Sequence, residues 1–128
     1  MARKTKAAGE KPLFGVASSK NDLLVFPEHV KNEIGNALAV AQYGGKHPNA
    51  KPWKGEGPGV FEIVEDHRSD TYRAVYTVRF ERAVYVLHAF PKKSTKGVKT
   101  SLTDVRLISP RLKAAKEDYE IRYGKKEK

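Results

Sequence analysis

The clearest pattern in the chain is a strict alternation of apolar and polar positions in TYRAVYTVRF, residues 71–80. Every second residue is aromatic or aliphatic, which is typical of a strand with one buried face. The opposite face carries Arg73 and Arg79. Two apolar runs flank this strand, at 60–66 and 82–90, and only short polar turns separate the three. The pattern therefore predicts an antiparallel meander of three strands.

Helical spacing dominates on the N-terminal side of the meander. A short strand is predicted at 12–17, followed by a helical turn that begins at Ser19. A longer helix is predicted from Pro27, which suits a first helical position, and it ends at Gly44. A Gly/Pro/Lys-rich loop, 44–59, then leads into the meander.

One more helix is predicted after the meander, from Ser101, with Asp104 at capping-box spacing and a break or kink at Pro110. The element order β-α-α-β-β-β-α predicts an α+β fold, with a small, mostly antiparallel sheet and helices packed on one face. We expect a flexible basic tail at 1–11, a single domain at 12–123 and a frayed C-terminus at 124–128.

Composition narrows the class of partner. The 128 residues carry 25 Lys plus Arg against 15 Asp plus Glu, a formal net charge of +10. Such an excess favours nucleic acid or an acidic protein as partner, and the alternative is a merely solvated cationic surface. The chain has no cysteine, and it shows neither a secretory signal pattern nor a run of about 20 apolar residues. We expect a cytoplasmic protein with no membrane contact.

Candidate chemistry concentrates at the end of the last strand, in YVLHAFPKKSTKG, where His88 precedes a run of lysines. If Arg73 and His88 lie on the same side of the sheet, they form a basic floor with an imidazole, which suits a phosphodiester. Each residue also has a plain structural interpretation. Arg73 can pair with Glu62 or Asp66, His88 can be a hydrogen-bonded core residue, and the lysines can be a solvated loop.

The runs FPEHVKNEIGNAL, KPWKGEGPGVFEIVED, DTYRAVYTVRF and VYVLHAFPKKSTKG resemble the phage-derived, HigB-like proteins of the RelE toxin superfamily. The resemblance covers about residues 12–120 and implies a RelE-like fold. It also implies the toxin of a type II toxin–antitoxin pair, an endoribonuclease that cuts mRNA, commonly on the ribosome. The implied partner is an antitoxin, often of helix-turn-helix type, and operator DNA is bound only by the toxin–antitoxin complex.

Cleavage through the ribose 2′-OH needs a base, an acid and cations for the charge that develops on phosphate oxygens, and it requires no metal or cofactor. Arg73 matches the superfamily's strand arginine and is the expected phosphate clamp. The other expected catalytic residues are His88, Lys54 and Lys92. The expected RNA-binding residues are Lys93, Lys96, Arg68, Arg79, Phe90 and Trp53, the aromatic ones by stacking on a base or, for Trp53, alternatively by pinning the loop to the core.

Two other functions stay open at this point. The chain can be a non-catalytic basic protein that binds an acidic protein or DNA. It can also be a degenerate prophage toxin that keeps the fold and the antitoxin surface but no longer cuts RNA.

Overall fold

A computed structural model describes residues 9–93 and 101–125 of the chain, with residues 92 and 93 described by their backbone alone. Lys96 and most of the predicted tail and frayed C-terminus lie outside the described residues. Lys11 belongs to the described part, and its backbone is held by two hydrogen bonds to Gln42. The elements are β1 (Leu13–Gly15), α1 (Ser19–Leu24), α2 (Glu28–Gln42), β2 (Ala50–Pro52), β3 (Val60–His67), β4 (Asp70–Thr77), β5 (Val84–Lys93) and α3 (Leu102–Tyr123).

The strands form one sheet in the order β1-β5-β4-β3-β2. The predicted meander is confirmed, because β3, β4 and β5 pair antiparallel in sequence. β1 joins β5 in parallel. β2 was not predicted, since it lies inside the Gly/Pro/Lys-rich loop, where Ala50, Lys51 and Pro52 pair with β3 at the sheet edge. An edge position tolerates proline, which has no N–H to donate.

Helices cover both faces of the sheet, so the prediction of a single helical face was wrong. α1 and α2 bury one face, called the α2 face, with Ile34 and Leu38 packed against Ile63 and Ala74. α3 buries the other face, called the α3 face, where Ile108 is completely buried. The physical reason is that the second face of the strands is also apolar and would otherwise be exposed to water.

The predicted break at Pro110 was also wrong, because α3 continues through it. The proline is exposed, whereas Ile108 and Leu112 on either side of it are buried against the sheet. Packing of these two side chains offsets the roughly 3 kcal/mol that an interior proline costs. The predicted cap is present, since Asp104 donates its backbone N–H to the Ser101 hydroxyl at 3.1 Å.

A β-bulge in β5 decides which side chains face α3. Val75 of β4 pairs with His88, but the next residue, Tyr76, pairs with Val86, so Leu87 is the extra residue. Leu87 and His88 therefore both lie on the α3 face, although neighbouring residues of a regular strand alternate. Simple alternation along β5 would place His88 on the same face as Val86, and the bulge places it on the opposite face.

Two features are absent from the described ranges. No helix among them is long and apolar enough to cross a membrane. They also contain no group of three or more His, Asp or Glu side chains arranged to hold a metal ion.

Candidate active site

The bulge brings two predicted residues together on the α3 face. Arg73 pairs in register with Phe90, and His88 is two residues from Phe90 along the same strand. Arg73 and His88 are thus diagonal neighbours, a relation that places two residues roughly 7–8 Å apart, with their Cβ atoms somewhat closer. The condition on which the sequence-based interpretation depended, that both residues lie on one side of the sheet, is met.

His88 is buried beneath the first turns of α3, with only 5% of its surface exposed. Its Nε2 lies 2.8 Å from Oδ1 of Asp104, and its Nδ1 lies 3.1 Å from a terminal nitrogen of Arg111. The ring stacks on Phe90, with centroids 4.6 Å apart and planes at 23°. His88 is therefore held on every side by groups whose positions are fixed by β5 and α3.

These contacts select a tautomer. A guanidinium can only donate hydrogen bonds, so Nδ1 of His88 accepts from Arg111. Nε2 then carries the proton and donates a hydrogen bond to the Asp104 carboxylate. Arg111 uses the same nitrogen to donate to the Leu87 carbonyl at 3.0 Å. The result is a chain of hydrogen bonds from Arg111 through His88 to Asp104, in which the aspartate fixes the ring as an orienting carboxylate does.

Arg73 forms an ion pair with Glu62 at 2.8 Å, and both side chains keep about a fifth of their surface exposed, 20% and 17%. The pairing considered as a structural alternative is therefore present. It does not use the whole guanidinium, because Nε of Arg73 is buried with no hydrogen-bond partner among the described residues. A buried donor of this kind is uncommon, and it leaves the guanidinium with unused hydrogen-bonding capacity.

The two aromatic residues predicted to stack on a base are packed in the core. Phe90 is 4% exposed and covers the His88 ring, and Trp53 is 9% exposed within the α3-face core. The Trp53 backbone also donates to the Val60 carbonyl, so this residue pins the loop to the sheet, as the alternative interpretation had it. In this conformation neither ring face is open to a base.

The remaining predicted cations lie at opposite ends of the sheet. Lys54 follows β2 and Arg79 follows β4, near the pairing of Val60 with Thr77. Arg79 donates to the Pro58 carbonyl at 2.9 Å and also to the Glu56 carbonyl. Arg68, in the β3–β4 turn, and the backbone of residues 92 and 93 lie at the other end, whereas His88, paired with Val75, lies between the two ends. The structure thus groups Arg73 and His88 but not Lys54 or Arg79.

Two residues of the site, Asp104 and Arg111, were missed by sequence reasoning. Asp104 was assigned only to capping, and it does cap α3 while its other carboxylate oxygen contacts His88. Their spacing of seven is two turns of helix, which places both on one face with Ile108. A charged pair at two-turn spacing around a buried residue was the available signal.

A second polar anchor holds the far half of α3. The Tyr85 hydroxyl donates to Asp118 at 2.6 Å, and Arg122 donates to the same carboxylate oxygen at 2.7 Å. The hydrogen bond from Tyr85, followed by that from Arg122, lowers the pKa of Asp118 below its ordinary value. Burial, reinforced by Asp118, raises the pKa of Tyr85 well above its ordinary range. Both shifts favour the pairing of a neutral tyrosine with a charged aspartate.

The chain is similar to known proteins in sequence family and in fold. Residues 21–113 match the family model described as "Phage derived protein Gp49-like (DUF891)". The isolated E. coli RelE toxin superposes with a TM-score of 0.50 at 17% identity, covering 84% of this chain and 98% of that one. A free mutant of the same toxin gives 0.49 at 20% identity, covering 82% and 97%. A chain of the RelBE2 toxin–antitoxin complex from Mycobacterium tuberculosis gives 0.44 at 16%, covering 71% and 100%. No curated protein matches.

Proposed function

Because the chain belongs to the Gp49-like family of phage-derived proteins and has a RelE-like toxin fold, we propose that it is a type II toxin that cuts mRNA. The motifs quoted above favour the HigB-like branch of the superfamily. A cytoplasmic location, action on the translating ribosome and neutralisation by a helix-turn-helix antitoxin belong to the same proposal, as does operator binding by the complex. The observation that supports it is that Arg73 and His88 are diagonal neighbours on one sheet face, with Asp104 and Arg111 in contact with His88.

The chemistry is attack of a ribose 2′-oxygen on the adjacent phosphorus. The bond from phosphorus to the 2′-oxygen forms while the bond to the 5′-oxygen breaks, which yields a 2′,3′-cyclic phosphate and a 5′-hydroxyl end. One proton leaves the 2′-OH, and one is delivered to the 5′-oxygen. Negative charge grows on the phosphoryl oxygens, where fixed guanidinium groups stabilise it. The α3 face offers two such groups, Arg73 and Arg111.

In the free protein both ring nitrogens of His88 are occupied. A phosphate competes for Arg111, since guanidinium binds phosphate oxygens bidentately. When Arg111 turns to the phosphate, Nδ1 of His88 is released and accepts the 2′-OH proton. Asp104 then faces an imidazolium through Nε2 and stabilises it, as the orienting carboxylate does in a Ser-His-Asp triad. Lys54 and Lys92 remain the proposed additional cations for the RNA backbone.

Induced expression in a bacterium tests the proposal directly. Growth and incorporation of labelled methionine are followed for wild type, Arg73→Ala and Tyr43→Ala, the last an exposed aromatic at the end of α2. We expect rapid arrest of translation with wild type and Tyr43→Ala and continued translation with Arg73→Ala. Circular dichroism establishes that each variant is folded. Continued translation with a soluble, folded wild type would overturn the proposal.

A second candidate function has one observation in its favour. Arg73 is paired and His88 is covered, which is the arrangement expected of a chain that binds RNA or an antitoxin without cutting. Purified protein mixed with labelled mRNA and ribosomes separates the two candidates, because only a nuclease shortens the RNA. An adjacent gene for a small helix-turn-helix protein supports either a toxin or its degenerate descendant over an unrelated binding protein.

A further inference from the structure

At the end of the sheet where β4 connects to β5, the C-terminal half of α3 and the β4–β5 connection enclose a cleft of about 710 Å³. Three aromatic rings form a ladder in it. Phe80 stacks on Tyr119 with centroids 5.0 Å apart, and Tyr119 contacts Tyr123 at 4.8 Å. The backbone N–H of Arg82 donates to the Tyr119 hydroxyl at 3.1 Å. The ladder is therefore fixed to both sides of the cleft.

Cations outnumber carboxylates around this ladder. Arg79 is committed to backbone carbonyls, and Lys116 lies 3.9 Å from Glu120. Arg82 and Lys113 contact no carboxylate within the described part of the chain, so their charges are available to a ligand. The charged lining consists of Arg79, Arg82, Lys113, Lys116 and Lys125 against Glu56, Glu81 and Glu120.

We propose that this cleft binds single-stranded RNA, with one base stacked on Tyr123 and the flanking phosphates contacted by Arg82 and Lys113. Aromatic faces beside a cationic groove are the combination that single-stranded nucleic acids recognise. In the free protein the Arg82 guanidinium lies 4.5 Å from the centroid of the Tyr123 ring. A base replaces the guanidinium on that ring face, and Arg82 moves to the adjacent phosphate. The inference rests on the proposed function, because it gives the same RNA a second contact region.

The cleft is within reach of the candidate active site along one element. Arg111 and Tyr119 both belong to α3, and eight residues of helix span about 12 Å. A short strand of RNA held at Arg111 can therefore extend to the aromatic ladder. An acidic peptide fits less well, because apolar anchors need a deep apolar pocket, and aside from its rings the lining is largely charged.

Binding is tested with a fluorescently labelled eight-nucleotide RNA whose 2′ positions are methylated, so that it cannot be cut. Anisotropy gives Kd for wild type, Tyr123→Ala, Tyr123→Phe and Lys113→Glu. Matched controls are Tyr43→Ala for an exposed ring and Lys20→Glu for an exposed lysine on α1. We expect Tyr123→Ala to raise Kd roughly tenfold and Tyr123→Phe to bind like wild type, since stacking needs the ring alone. Lys113→Glu is expected to raise Kd and to flatten its salt dependence.

Equal Kd values for wild type, Tyr123→Ala and Lys113→Glu would overturn the inference, as would an equal loss in Lys20→Glu, which would indicate unspecific attraction. Lys113 is exposed, so its variant stays informative if Tyr123→Ala fails to fold. Saturable binding of an acidic antitoxin peptide in place of the RNA would also overturn it. Arg73→Ala separates the two proposals. If Arg73→Ala no longer cuts RNA while the cleft variants bind RNA with the wild-type Kd, the cleft proposal alone is refuted. If the cleft variants weaken RNA binding but the wild type never cuts RNA, the nuclease proposal alone is refuted.

Discussion

The two faces of the sheet differ in the kinds of side chain that they bury. On the α2 face, Val30, Ile34 and Ala37 are fully buried against aliphatic and aromatic side chains of the strands. The α3 face has an apolar core of its own, but it also holds the Arg73–Glu62 pair and the His88–Asp104 contact. Burying charged groups is costly even when they are paired, and apolar replacements are often as stable or more so. It follows that the α3 face buries polar and charged pairs at positions where apolar side chains would pack at least as stably.

The largest expected effect comes from the apolar face. Ile34→Ala removes a fully buried side chain and leaves a cavity, so we expect the free energy of unfolding to fall by about 3 kcal/mol. Urea denaturation measures it, with exposed Asn36→Ala on the same helix as control. If the proposed nuclease activity is present, we expect the rate of RNA cleavage by the folded fraction to stay unchanged. A loss of cleavage beyond the loss of folded protein would contradict the claim that the α2 face contributes to stability alone.

The next largest effect is expected from the Glu62–Arg73 ion pair on the α3 face. Glu62→Ala leaves the mostly buried Arg73 guanidinium without its carboxylate, and we expect a loss of about 2 kcal/mol in unfolding free energy. The double variant Glu62→Leu/Arg73→Met replaces the pair by apolar groups and is expected to recover that stability. It is not expected to cut RNA. Recovery of both stability and cleavage would show that the pair is purely structural.

A smaller effect is expected at the start of α3. Ser101→Ala removes the hydroxyl that accepts from the Asp104 backbone, and losing such a cap costs about 1 kcal/mol. Because Asp104 also contacts His88, we expect the cleavage rate to fall by more than the loss of folded protein accounts for. Thermal unfolding and cleavage rates are compared with Thr103→Ala, an exposed neighbour in the same turn. Equal behaviour of the two variants would contradict the coupling.

The smallest effect concerns pH and the far half of α3. The pKa of Asp118 is lower in the folded chain than in the unfolded one, so its contribution to stability is present above the unfolded value, about 3.9. That contribution is lost as pH falls through the folded value. Asp118→Asn should therefore be less stable than wild type at pH 7, with the gap narrowing below about pH 4. A gap that stays constant in acid would contradict the assigned pairing.

Much of the fold follows from periodicity alone. Alternation in 71–80 predicts β4 and its buried Ala74 and Tyr76, and helical spacing from Val30 predicts α2. The short edge strand Ala50–Pro52 has too little pattern of its own, since its pairing is dictated by β3. The continuity of α3 through Pro110 depends on packing partners that are distant in sequence.

The site was predictable only in part. Arg73 and His88 were singled out by residue type and by resemblance, and the structure does place them on one face. The bulge at Leu87 that turns His88 toward α3 leaves no mark in the apolar pattern, because residues 84–87 are all apolar or aromatic and are buried on both faces of β5. Asp104 and Arg111 reach His88 from a helix at least 16 residues further along the chain, a contact that only the tertiary fold creates.

The most direct test of the α3 face as the functional one is to map cut mRNA ends in a reconstituted translation reaction. Wild type is compared with His88→Gln, which keeps a hydrogen-bonding side chain, and with Ile34→Val, a mild change on the α2 face. We predict fragments ending in 2′,3′-cyclic phosphate with wild type and Ile34→Val and intact mRNA with folded His88→Gln. Fragments from His88→Gln at the wild-type rate, or none from wild type, would contradict the assignment of the site.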